Sequence, residues 1–108
     1  MSSDQKILMA YVTFPDETLA AQICEDLVRD GVIACGNVFP PHRAIYKWKD
    51  YLENHSECAV VLKLAALNKQ KLMERIRAVH PYETPALVFV SPDDGLPEYI
   101  KWICEQSR

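Results

Sequence analysis

Ile7-Leu8-Met9-Ala10-Tyr11-Val12-Thr13-Phe14 runs on without a charged side chain until Pro15 stops it. Such a run reads as a strand covered on both faces, which puts it inside a sheet rather than at its edge. Asp16 and Glu17 follow the proline, and acidic side chains suit the positive end of a helix. Leu19, Ile23, Leu27 and Val28 then recur at helical spacing. Gly31 stands where a left-handed residue ends a helix.

The remaining segments fall into place around this strand-helix unit. Val32 to Phe39 is apolar enough for a second strand, and Pro40-Pro41 interrupts it, as at a bulge or an edge. Ala44 to Trp48 resumes extended structure and Lys49-Asp50 makes a tight turn. Tyr51-Leu52 and then Glu57 to Leu64 return as the partner strand. Asn68 is positioned to cap a second helix. Leu72, Met73, Ile76 and Val79 form its buried stripe, with Lys69, Lys71, Arg75 and Arg77 in solvent. Pro81 stops that helix, Pro85 to Val90 is a last strand, and Leu96 to Gln106 a final helix. The order predicts one domain over residues 1–108 of the α+β class. It is a ferredoxin-like βαββαβ chain with an extended hairpin between the second and third strands and an extra C-terminal helix. Right-handed crossovers give the strand order 4-1-3-2.

Function classes drop out on charge and cysteine usage. The net charge is −3 and basic residues alternate with acidic ones, so no footprint for nucleic acid or an anionic membrane surface is present. The start, Met1 to Lys6, has no apolar signal segment, and no apolar run approaches the ~18 residues of a membrane span. Cys24, Cys35, Cys58 and Cys104 show no C-x-x-C spacing, and reduced thiols in a cytoplasmic protein are the plain expectation. Tyr46, Trp48 and Tyr51 on the long hairpin are exposed aromatics unless another subunit covers them.

Catalysis finds no support, because no general base stands beside an evident nucleophile. The third strand lacks the aromatics of an RNA-recognition domain, and acidic Asp16-Glu17 would repel phosphate from the turn after strand one. The chain is therefore expected to bind rather than to catalyse. His80-Pro81-Tyr82-Glu83-Thr84-Pro85 is the most unusual string. Its prolines hold an imidazole and a carboxylate close together, a half-site for a divalent metal. An equally physical reading makes His80 a helix-end residue and Tyr82 a plug of the core edge. Cys35 is either a buried thiol or a soft ligand for copper. Lys63 either faces a cleft between subunits or snorkels at an edge.

The chain resembles the CutA family of divalent-cation tolerance proteins over nearly its whole length. The resemblance rests on Val12-Thr13-Phe14-Pro15-Asp16-Glu17, Gly31 to Val38, Ile45-Tyr46-Lys47-Trp48, the His80 to Pro85 string and Tyr99-Ile100-Lys101-Trp102-Ile103. It implies a ferredoxin-like homotrimer in which hairpins reach neighbouring subunits. It also implies binding of copper or another divalent cation at His80, Glu83 and Cys35, with no cofactor required for folding. Trimers of this kind resemble PII-type signalling proteins, which implies an alternative: a small-ligand sensor with a cleft near Lys63, Tyr82 and Trp48, its metal binding incidental. Four positions depart from the family pattern: Asp50 for the usual Gly of the hairpin turn, Leu64 for Thr, Gly36 for Val, and Phe14 for Thr.

Overall fold

The computed structural model describes residues 6–108, so Met1 to Gln5 and their reading as free of a signal segment lie outside the described residues. The elements are β1 (Ile7–Phe14), α1 (Glu17–Arg29), β2 (Cys35–Val38), β3 (His42–Trp48), β4 (Tyr51–Ala65), α2 (Lys69–Val79), β5 (Leu87–Val90) and α3 (Pro97–Gln106). The sheet is antiparallel in the order β2-β4-β1-β5, and β3 pairs with the first half of β4. The expected second strand is thus split: Val38 and His42 flank the two prolines, which have no N–H for the ladder. Both pieces lie on β4, so the predicted order holds with β1 and β4 at the centre.

Asp16 caps α1 by accepting a hydrogen bond from the Leu19 N–H at 2.7 Å. At the other end the Gly31 N–H donates to Val28 and the Val32 N–H to Leu27, with Gly31 at a φ of +72°. This paired motif needs a left-handed residue, which glycine adopts without steric penalty. Val12, Phe14, Val60, Leu62 and Leu64 turn to one face and pack with Leu27, Leu72 and Ile76 of the helices. Each such side chain contributes about 1.5–3 kcal/mol on burial. α3 serves the opposite face, with Ile100 and Ile103 buried and Tyr99 beside Lys63.

Three expectations need correction. Asn68 does not cap α2: its amide donates to the carbonyls of Gly31 and Val32 and to Ser107 Oγ, because Ser107, just after α3, packs there and buries this group of polar atoms. Val79 is exposed, since α2 turns only Leu72 and Ile76 fully inward. β1 is fully covered on one face, whereas α3 covers the other only in part. Tyr11, Val88 and Val90 share its other face and are 43%, 58% and 53% exposed. No helix among the described residues is long and apolar enough to cross a membrane.

Candidate functional site

Alternation along the hairpin sets the site. Tyr46 and Trp48 of β3 and His55 and Glu57 of β4 lie on one side of the two-stranded ribbon, because residues two apart share a face. That side looks across to Pro81, Tyr82, Glu83 and Thr84. Between them is a groove of about 720 Å³, floored near Thr13 and Pro15 at the end of β1. The turn that carries the ribbon has Lys49 and Asp50 at φ of 51° and 70°. Both are left-handed, as a type I′ turn requires, so Asp50 supports the turn without the glycine.

His80 fixes the opposite wall. Its Nε2 lies 2.7 Å from the Thr13 carbonyl and its Nδ1 accepts the Tyr82 N–H at 3.2 Å. Because Nδ1 accepts, the proton sits on Nε2 and is donated to Thr13. The ring also stacks on Phe14 at 4.8 Å. Tyr82 is thereby aimed at β4, where its hydroxyl donates to Glu57 Oε2 at 2.8 Å. Burial, and then the hydrogen bond to Glu57, pushes the Tyr82 phenol well above its ordinary range, so it remains a donor. The Tyr46 phenol is raised as well, first by desolvation and then by Glu57 and Glu53.

The sequence candidates separate. Trp48 and Tyr82 line the groove together, and Glu83 stands at its mouth in an ion pair with Lys49 at 3.8 Å. Lys63 lies six residues along β4 from Glu57, roughly 20 Å away at strand rise. Its ammonium donates to Tyr99 at 3.0 Å, a bond that raises its pKa. Cys35 pairs in register with Lys63, whereas His80 holds the Thr13 end of β1, opposite Ala59. The two thus stand four rungs apart, roughly 13 Å, too far to share an ion at ligand distances of ~2–2.3 Å within one chain. Among the described residues no three His, Cys, Asp or Glu side chains are grouped to hold a metal ion. Glu57, Tyr46 and His55 belong to the groove although sequence reasoning did not select them. Their signal was there: aromatic and acidic residues at every second position of a hairpin.

Residues 8–106 match the family model described as CutA1 divalent ion tolerance protein. The divalent-cation tolerance protein CutA of Pyrococcus horikoshii is 34% identical over 94% of this chain and 99% of its own. The crystal structure of divalent ion tolerance protein CutA1 from Ehrlichia chaffeensis superposes with a TM-score of 0.91 at 32% identity, covering 99% of both chains. The PII-like protein CutA from Nostoc sp. PCC 7120 superposes at 0.88 with 28% identity, over 94% of this chain and 97% of that one. The family model spans nearly the whole chain and the fold superposes over nearly its full length, and the chain belongs to the CutA family of divalent ion tolerance proteins.

Proposed function

We propose that the protein acts as a cytoplasmic homotrimer and a PII-like sensor, taking a small ligand in the groove between its hairpin and the His80–Pro85 link. The observation that carries this is the groove itself, about 720 Å³ with Tyr46, Trp48 and Tyr82 around a carboxylate. Ligand sites are concave, largely apolar and furnished with a few fixed polar groups. The likeness to a PII-like relative supports the same reading. Four cysteines outside any disulfide, two of them buried, fit a reducing compartment. The apolar far face of β1 and β5 supports assembly. The test is a metabolite panel read by calorimetry. Saturable responses that vanish in Trp48→Leu support the groove; responses that persist in that variant place the ligand elsewhere.

A second reading, binding of copper or another divalent cation, is favoured by the family description and by the partly exposed free thiol of Cys35. In it His80, Glu83 and Cys35 serve as metal ligands, and the distances above require the thiol to act apart from the imidazole or across subunits. Copper calorimetry on wild type and His80→Ala separates the readings. Saturable binding near one ion per chain that disappears with His80 supports the metal role; binding indifferent to the change leaves the groove as the functional element.

A further inference from the structure

Resting on the ligand groove proposed above, we propose that its ligand is an organic ammonium ion, whose charge faces Glu57 and whose alkyl groups meet the rings of Tyr46, Trp48 and Tyr82. Glu57 is 6% exposed. Among the described residues its carboxylate receives one hydrogen bond, from Tyr82, and has no Lys, Arg or His nitrogen at ion-pair distance. A carboxylate withdrawn from water calls for a counter-charge, and a single phenol supplies only a dipole. Aromatic faces beside it are electron-rich and attract cations.

The molecule already shows the chemistry at the mouth of the groove. The Lys49 ammonium lies 5.9 Å from the Trp48 ring centroid and 3.8 Å from Glu83 Oε2. An alkylammonium against an aromatic face and a carboxylate is thus accommodated there, on a long exposed arm, while Glu57 inside is left without one. Other ligand classes fit less well. An anion would meet two carboxylates, Glu57 and Glu83. A bare divalent ion needs a set of oxygen or nitrogen donors, and no group of three His, Cys, Asp or Glu is assembled among the described residues. Glu57 also contributes, after desolvation, to raising the phenols of Tyr46 and Tyr82. The groove volume suits a small organic molecule.

The test uses the full chain carrying Trp102→Phe, so that emission comes from Trp48 alone. Tetramethylammonium chloride, neutral tert-butanol of similar size and sodium acetate are titrated in turn. Tetramethylammonium is expected to change the emission saturably, with a dissociation constant of about 1 mM or tighter. Glu57→Gln keeps an acceptor for the Tyr82 hydroxyl and so preserves the wall, yet weakens binding about tenfold or more. No saturable response to tetramethylammonium, or an equal response to tert-butanol, overturns the proposal. Saturation by acetate instead would sink the ammonium class while leaving the groove a ligand site. A side chain of a second copy already filling the groove would show as silence toward all three probes, and it too overturns the proposal.

Discussion

His80 joins β1, the end of α2 and the link to β5 through one imidazole. Both ring nitrogens are engaged, one by the Thr13 carbonyl and the other by the Tyr82 N–H, and the ring face is engaged by Phe14. A nitrogen that carries a proton or already accepts one has no lone pair to give a metal without breaking this arrangement. His80→Ala is therefore expected to destabilise the protein by about 2–4 kcal/mol, from a buried void and an unpaired carbonyl together. Chemical denaturation checks this. Copper affinity should stay unchanged in the same variant under reducing conditions; a large loss of affinity with normal stability would reverse the assignment. The histidine motif is legible in the sequence as a unit. Its purpose is not, because Thr13 lies 67 residues away in the chain and enters only through the fold.

α1 and β2 approach more closely than their sequences suggest, and Gly36 is the reason. A methyl group built there would lie 2.9 Å from Cys24 Sγ and 3.2 Å from its Cβ, inside van der Waals contact. The space beside Gly36 is thus filled from the helix by a thiol, and burial raises the pKa of that thiol to about 11, keeping it neutral. Gly36→Ala is expected to cost about 1–3 kcal/mol through overpacking. Cys24→Ala added to it should recover most of that loss, since the sulfur that clashes is gone. Equilibrium unfolding of the two single variants and the double one gives the coupling; additive effects would mean the contact is not the cause. The elements themselves follow from periodicity: the eight-residue apolar run became β1, and the helix pattern from Leu19 to Val28 became α1 between its Asp16 cap and Gly31. What periodicity cannot supply is coverage and partnership. It placed β1 between two covered faces although α3 covers one of them only in part, and gave Asn68 a local capping role where distant carbonyls claim its amide. It likewise showed Trp48 and Tyr82 as unusual but not Glu57 as their companion, because a glutamate at the start of an apolar strand looks like a solvated boundary residue.

At the scale of the whole molecule the open face of the sheet is the feature a single chain leaves unresolved. Tyr11, Val88 and Val90 sit side by side on it through the β1–β5 register. Ile45, Tyr51 and Leu52 are exposed farther out on the hairpin, at 65%, 76% and 74%. Apolar area removed from water contributes about 25 cal/mol per Å², so a face of this kind has a strong drive to meet another copy. The long axis of the chain, 47 Å against 26 and 24 Å, comes with a hairpin able to reach a neighbour. A charge set in the middle of that face should oppose assembly without harming the fold, since Val88 is solvent-exposed in the isolated chain and has no core partners to lose. Val88→Lys is therefore expected to convert a particle of three chain masses into single chains at micromolar concentration, measured by light scattering. Tyr51→Ala removes an exposed hairpin aromatic outside the groove and leaves the sheet face intact, so it should dissociate the proposed trimer only on dilution. The two variants separate two contributions to the proposed assembly: that of the sheet face to whether copies associate, and that of the hairpin to how tightly. A Val88→Lys protein that remains trimeric at nanomolar concentration would show that the copies meet elsewhere, and the hairpin alone would then have to carry the assembly.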